Sequence, residues 1–136
     1  MKLFRPVGLR ELELIADSGW KAFPPRLPDQ PIFYPVLTFK YAESIAKNWN
    51  KPDAKSGYAG FVTQFEVEDN YLKKYQVQTI GNSNSRDFQE LWVPAEELEA
   101  FNGKILGKIE VVASYYDDQF AGEINKNTGL PAHLQL

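Results

Sequence analysis

The hydrophobic periodicity of this 136-residue chain changes at Tyr58 from a helical repeat to strict alternation. Before Tyr58, apolar residues recur every three or four positions in two segments, and after it they alternate along extended segments. Because strands and helices are segregated along the chain and do not strictly alternate, the pattern predicts an α+β fold. We expect a single compact domain with a mainly antiparallel mixed sheet and two to three packed helices.

The first half of the chain is predicted to contain one strand and two helices. The ranges are Lys2 to Arg5, ended by Pro6; Gly8 to Ser18, closed by Gly19; and Thr38, as N-cap, to about Trp49. The buried stripe of the second helix is expected to contain Tyr41, Ala42, Ile45, Ala46 and Trp49. Five prolines between Pro24 and Pro35 predict that residues 19–35 form an extended, irregular loop.

The second half is predicted to be mainly sheet. Strands are expected from Tyr58 to Glu66, from Tyr75 to Ile80, around Glu90 and from Lys108 to Tyr115, with helical segments at Val67 to Lys74 and Pro94 to Phe101, and a polar loop from Gly81 to Arg86. In the first of these strands, Phe61, Thr63 and Phe65 share one face. We expect residues 1–116 to form the domain and residues 117–136 a loosely docked tail.

Composition excludes several classes of site. The net charge is −3 with scattered basic residues, so nucleic acid is an unlikely partner by electrostatics. The chain has no cysteine and one histidine, His133 in the tail, which argues against thiolate chemistry, a Ser-His-Asp triad and a histidine-rich metal site. No apolar run reaches membrane-spanning length, and the N-terminus lacks a signal-peptide stretch. We therefore expect a cytoplasmic protein with no metal and no membrane contact.

Glu90 is the most informative single residue. It places a carboxylate inside the apolar, β-favouring run from Phe88 to Val93, directly before the predicted helix that begins at Pro94. A carboxylate held on a strand beside a cleft can orient a sugar hydroxyl or stabilise a developing cation. The alternative is a strand glutamate that simply faces solvent.

Two segments together resemble the two ends of a small ADP-ribosyltransferase. They are Leu3-Phe-Arg-Pro-Val-Gly-Leu-Arg-Glu-Leu and Gln89-Glu-Leu-Trp-Val-Pro-Ala-Glu-Glu-Leu, and the resemblance covers residues 2–115. It implies that the chain takes NAD as a substrate, that Arg5 holds the dinucleotide and that Glu90 is the catalytic carboxylate. It further implies that Thr63 lies on the middle strand of the site. Tyr41, on the helix beside the nicotinamide pocket, Tyr34 or Phe61 is expected to stack on the nicotinamide ring.

The chain also departs from the family pattern. Phe88 stands two residues before Glu90, where many transferases that modify protein side chains have Gln or Glu, and the middle strand lacks the usual Ser-Thr-Ser. An altered acceptor, or a site without catalysis, is therefore left open. The plain alternatives are that Arg5 pairs with a carboxylate, that Thr63 fills a strand and that Tyr41 packs in the core. Arg26 is a second candidate for binding an anion.

Two hypotheses from different classes follow. The first is an enzyme that transfers ADP-ribose from NAD or hydrolyses NAD in a cleft between sheet and helices. It requires Arg5 and Glu90 to lie on one side of the sheet and within about 15 Å of each other. The second is a non-catalytic module of the immunity or adaptor type that binds a protein partner or senses a nucleotide. It requires a sizeable exposed apolar patch away from the cleft.

Overall fold

A computed structural model describes residues 1–81 and 88–134 of the chain. Along these residues the elements are β1 (Lys2–Val7), α1 (Leu9–Asp17), β2 (Ile32–Phe33), α2 (Phe39–Ile45), β3 (Ala59–Val67), α3 (Asp69–Leu72), β4 (Val77–Thr79), β5 (Gln89–Leu91), β6 (Val93–Pro94), α4 (Leu98–Asn102) and β7 (Ile105–Tyr116). A π-helical turn, Ala46–Asn50, continues α2, and 3₁₀ turns occupy Ala54–Ser56 and Ala95–Glu97.

The strands form antiparallel ladders joined through one residue. β3 lies between β1 and β7, β4 pairs with β5, and β2 pairs with β6. Val36 connects the first two groups, because it pairs with Phe4 of β1 on one side and with Glu90 of β5 on the other. The prediction of a single compact α+β domain with antiparallel sheet is confirmed.

The two faces of the sheet carry separate apolar clusters. Leu3, Phe61 and Phe65 lie in the larger core with residues of α1 and α4, whereas Val62 packs with Val36 and α2. The predicted common face of Phe61, Thr63 and Phe65 is confirmed, and this face forms the main core.

Local signals at the helix ends agree with the sequence. Gly8 is the N-cap of α1, and Gly19 beyond its C-terminus has φ of 77°, in the left-handed region that favours glycine. The Thr38 side chain caps α2 by accepting a hydrogen bond from the Tyr41 backbone N–H at 3.2 Å. Both predicted helix starts are therefore confirmed.

The predicted burial of Trp49 is wrong, since this side chain is 73% exposed. The α-helix ends at Ile45, and the wider π turn that follows changes the angular spacing of the side chains. Ala46 in this turn lies against Gly60 of β3, where the Cβ of any larger residue would come within 2.2 Å of the Ala46 carbonyl oxygen. The close approach of turn and strand therefore depends on glycine at position 60.

Pro6 does not end β1, contrary to the prediction. The strand runs to Val7, and Pro6 pairs with Val62 of β3. The backbone N and O of Phe4 bond to Val36, so those of Pro6, two residues on, point to the same edge of β1. The missing N–H therefore removes no bond to β3. On the other edge of β1, Pro6 has no N–H with which to form a second pair beyond the Phe4–Val36 bridge.

Several elements of the second half are shorter than predicted, whereas β7 begins at Ile105, before the predicted Lys108. The strand expected from Tyr75 to Ile80 is limited to β4, and Pro94 belongs to β6 and precedes a 3₁₀ turn, so it is not part of the predicted helix. Gly81 has φ of 76°, as expected for the start of the polar loop. The remainder of that predicted loop lies outside the described residues.

Residues 117–134 run back over β7 and α1. Leu130 is 8% exposed and belongs to the main core. The hydroxyls of Ser114 and Tyr116 both donate to the Gly129 carbonyl oxygen, at 2.8 and 2.7 Å. His133 lies 2.8 Å from the Glu13 carboxylate of α1. Within the described ranges, no helix has the length and apolar composition needed to cross a bilayer.

Candidate functional site

A cleft opens in the sheet beyond the single bridge between Phe4 of β1 and Val36. Its volume is about 430 Å³, which suits a small-molecule ligand. The lining residues are Arg5, Pro6, Tyr34, Val36, Ile45, Asn50, Glu90 and Trp92. The cleft exists because Pro6 has no N–H with which to continue the ladder beyond the Phe4–Val36 pair.

Glu90 projects into this cleft with both carboxylate oxygens held. Tyr41 of α2 donates its hydroxyl to Oε2 at 2.8 Å, and Trp92 donates its indole N–H to Oε1 at 2.7 Å. Glu90 is 8% exposed. The prediction that this carboxylate sits on a strand, in β5, is confirmed, and the two donors fix its orientation.

The Tyr41 hydroxyl stays protonated and so remains a hydrogen-bond donor to Glu90. Burial and, after it, the hydrogen bond to Glu90 raise the pKa of Tyr41 well above its ordinary value. Its ring packs edge-on against Phe88 with centroids 5.6 Å apart. Tyr41 therefore supports Glu90 from the helix side and does not line the cleft itself.

Arg5 is already paired within the protein. Its Nε and Nη2 donate to the two carboxylate oxygens of Glu11 at 2.6 and 3.0 Å, and its Nη1 donates to the Tyr34 carbonyl oxygen at 3.3 Å. The guanidinium also lies over the Phe33 ring, 4.6 Å from its centre. Three of its five N–H groups are used in these bonds, and the other two have no acceptor among the described residues.

The side chains of Arg5 and Glu90 project from opposite faces of the sheet. Phe4, Val36 and Glu90 share one row, so Arg5, one residue after Phe4, points the other way, toward α1. The expectation that both lie on one side of the sheet, which the enzyme hypothesis required, is therefore wrong. They border the same cleft because the cleft passes through the break in the sheet.

Of the other two candidate residues, Tyr34 lines the cleft and Thr63 does not. Tyr34 lines the cleft and is 39% exposed, so its ring is available for stacking. Thr63 is fully buried opposite Arg5, and its hydroxyl donates to the Arg5 carbonyl oxygen at 2.8 Å. Thr63 therefore lies outside the cleft and supports the strand that carries Arg5.

Sequence reasoning missed three residues of the site. Trp92 follows Glu90 by two positions on a β-favouring run, so period-two spacing already placed both on one face. Glu11 gave no comparable signal, because its contact with Arg5 depends on how α1 packs. Asn50 reaches the cleft through the unpredicted π turn.

Asn50, which lines the cleft, has a hydrogen-bond acceptor that is not used. Its Nδ2 donates to Ser56 Oγ at 3.2 Å, while Oδ1 is the one buried side-chain polar atom without a partner among the described residues. Buried polar atoms of this kind ordinarily have a partner. The π turn and Asn50 thus add a polar position to a largely apolar wall.

No protein-family model, curated protein or solved structure matches this chain. Within residues 1–81 and 88–134, no group of three or more His, Asp or Glu side chains is arranged to hold a metal ion. The chemistry of the cleft therefore has to be argued from its own side chains.

Proposed function

We propose that the cleft binds NAD and that the protein transfers ADP-ribose to an acceptor or hydrolyses NAD. The observation that carries the proposal is the Glu90 carboxylate, fixed by Tyr41 and Trp92 and facing a cleft that Arg5 also borders. The resemblance of the segments around Arg5 and Glu90 to the ends of a small ADP-ribosyltransferase agrees with this arrangement.

Glu90 supplies the electrostatic part of the mechanism. When the bond between nicotinamide and ribose breaks, the electron pair leaves with nicotinamide and positive charge develops on the ribose. A fixed carboxylate stabilises that charge and can accept a hydrogen bond from a ribose hydroxyl. Water or another acceptor then forms the new bond to the ribose carbon and releases its proton to solvent. Because Tyr41 and Trp92 use one position on each oxygen, further acceptor positions of Glu90 remain for the ligand.

Tyr34 and Arg5 supply binding in this proposal. The Tyr34 ring is exposed at the cleft and can stack on the nicotinamide, while the two spare N–H groups of Arg5 can meet the phosphate or ribose oxygens. Thr63 contributes by holding the backbone of Arg5.

The test is a calorimetric titration with NAD together with nicotinamide release from the same sample. We expect millimolar or tighter binding and a slow release. Glu90→Gln keeps the shape of the side chain and should reduce the release rate by about 10²- to 10³-fold, while Glu96→Gln, at an exposed position, should leave it unchanged. Release at the wild-type rate from Glu90→Gln would remove Glu90 from the mechanism.

A second candidate function is a protein-interaction module. Trp49 is 73% exposed on the π turn, which is unusual for the largest apolar side chain. Of the other exposed aromatics of this region, Tyr34 and Trp92 line the cleft itself, whereas Phe88, 38% exposed, packs against Tyr41 outside it. An absence of NAD binding at millimolar concentration, weaker than about −4 kcal/mol, would favour this module.

A further inference from the structure

Two arginine side chains are anchored on one edge of the extended segment that contains β2. Arg26 Nε donates to the Ile32 carbonyl oxygen at 3.1 Å, and Arg5 Nη1 donates to the Tyr34 carbonyl oxygen at 3.3 Å. Carbonyls two residues apart in an extended chain point the same way and lie about 6.6 Å apart. The two guanidinium groups are therefore neighbours along this edge.

The side chains of these arginines donate to backbone carbonyls that no backbone N–H of a neighbouring strand satisfies. The opposite edge of the segment is paired, because the Pro31 carbonyl accepts from Ala95 N and the Pro35 carbonyl from Leu91 N. On the arginine edge, continuation of the Phe4–Val36 register would bring position 6 opposite Tyr34, but Pro6 has no N–H to donate. The side chain of Arg5 satisfies that carbonyl instead.

The charges at this edge do not balance. Glu11 neutralises Arg5, whereas in the part of the chain that the structure describes Arg26 has no carboxylate within ion-pair distance. Arg26 is nevertheless only partly exposed, and burial followed by the charge of Arg5 lowers its pKa from the ordinary value. Two guanidinium groups beside one carboxylate leave one positive charge without a counterion, and partly buried charges are ordinarily paired.

The hydrogen-bonding capacity is equally incomplete. Nε of Arg26 is used, and its four terminal N–H groups have no acceptor among residues 1–81 and 88–134. Arg5 has two further N–H groups unused. Planar forks of this kind match the oxygens of a phosphoryl group.

We propose that Arg26, with Arg5 beside it, forms a binding site for a diphosphate anion, supplied as inorganic pyrophosphate or as the diphosphate of a nucleotide. Glu11 fixes Arg5, and the Ile32 carbonyl aims Arg26, so the site is formed before the ligand arrives. The site shares Arg5 with the NAD site proposed above but adds Arg26, and pyrophosphate binding here needs neither Glu90 nor any chemical step.

The test measures the thermal midpoint of the whole protein at low salt with pyrophosphate, with ADP and with adenosine. We expect pyrophosphate and ADP to raise the midpoint and adenosine to leave it unchanged, since a ligand that binds the folded state stabilises it. A rise with ADP alone, if it is lost in Arg26→Gln, would assign the site to a nucleotide. No rise with either anion would overturn the proposal.

Three variants assign the binding to Arg26. Arg26→Gln should weaken pyrophosphate binding at least tenfold, and Arg26→Lys, which keeps the charge but loses the fork, should weaken it by a smaller factor. Arg10→Gln removes an exposed charge on α1 and should bind as the wild type does. If Arg26→Gln is unstable, Arg26→Lys provides the test. A pyrophosphate affinity of Arg26→Lys equal to that of the wild type would overturn the proposal that the planar guanidinium binds the anion.

Failure of this site and failure of the proposed function are distinguishable. Pyrophosphate binding that depends on Arg26, in a protein that releases no nicotinamide from NAD, would keep the anion site and reject the enzyme. Nicotinamide release that is sensitive to Glu90→Gln, in a protein with no affinity for pyrophosphate, would keep the enzyme and reject this site.

Discussion

At the scale of single residues, the site depends on side chains that hold other side chains. Glu90 is positioned by Tyr41 and Trp92, and Arg5 is positioned by Glu11. Each supporting group satisfies an ionised or buried partner, so its removal acts on the group that faces the cleft.

Trp92→Phe tests this support at Glu90. The change keeps an aromatic ring but removes the indole N–H that Oε1 of Glu90 accepts. We expect the free energy of unfolding to fall by about 1 kcal/mol, and nicotinamide release to fall through kcat more than through KM. Trp49→Phe, at an exposed position, is the matched control. Equal effects of the two substitutions in urea unfolding and in release would contradict a positioning role for Trp92.

The residue scale also shows what the sequence could reveal. Glu90 was detectable because a carboxylate in an apolar run is unusual, and Trp92 was implicit in the alternation. The pairing of Arg5 with Glu11, and the full burial of Thr63, depend on the packing of α1 and on strand register. The alternation did place Thr63 between the core residues Phe61 and Phe65, and a carboxylate partner for Arg5 was an open alternative, but no local pattern identified Glu11 as that partner.

At the scale of elements, the close contact between β3 and the π turn has the strictest steric requirement. Gly60 has no room for a Cβ, because the Ala46 carbonyl oxygen would lie 2.2 Å from it. The alternation and the caps predicted the strand and the start of α2 correctly. The π turn was not predicted, since helical periodicity assumes a constant spacing and the turn changes it.

Gly60→Ala should therefore be strongly destabilising. The contact is with backbone, which cannot move as a side chain can, so we expect a loss of about 3 kcal/mol in the free energy of unfolding. Gly103→Ala is the matched control, because its Cβ would meet nothing closer than 3.4 Å and its backbone is helical. Denaturant unfolding of both variants measures the difference. A Gly60→Ala protein as stable as Gly103→Ala would mean that the π turn is not held against β3.

Glu97 joins the segment after α3 to the turn before α4. Lys74 Nζ lies 2.9 Å from Oε1 of Glu97, and the Tyr75 hydroxyl donates to the same oxygen at 2.8 Å. These contacts, that of Lys74 first, lower the pKa of Glu97. A lowered folded pKa gives stability that is present above the ordinary glutamate value and is lost as the pH falls through the folded value.

The expected result is an acid-dependent effect of Glu97→Gln. The stability difference between wild type and Glu97→Gln should be largest near neutral pH and should shrink below about pH 4.3, the ordinary glutamate pKa. Urea unfolding at several pH values measures it. Lys74→Gln should reproduce part of the same change, because Lys74 is the main cause of the shift. A difference that is constant with pH would show that Glu97 gains nothing from its charge.

At the scale of the whole molecule, the C-terminal segment contributes to the main core. Leu130 packs there, and Gly129 accepts hydrogen bonds from two side chains of β7. The α+β class followed from the segregation of periodicities along the chain. The path of residues 117–134 could not be predicted, because this polar segment has no periodicity and is placed by a few distant contacts.

Leu130→Ala measures that contribution. Truncating this buried side chain should lower the free energy of unfolding by about 2–4 kcal/mol, through lost burial and a cavity. Ile124→Ala, in the same segment but 42% exposed, should cost less than about 1 kcal/mol. Chemical denaturation of both proteins compares them. Similar small losses would indicate a segment that is only loosely attached.

The single bridge between Phe4 and Val36 has a kinetic consequence. Two backbone hydrogen bonds, Phe4 N to Val36 O and Val36 N to Phe4 O, are the direct ladder contacts between β1 and the segment that leads to β5. Breaking them requires far less than global unfolding, so these two amide protons should exchange with solvent faster than those inside the β1–β3 ladder. A ligand that spans the gap would slow both amides together, which makes them local reporters of occupancy.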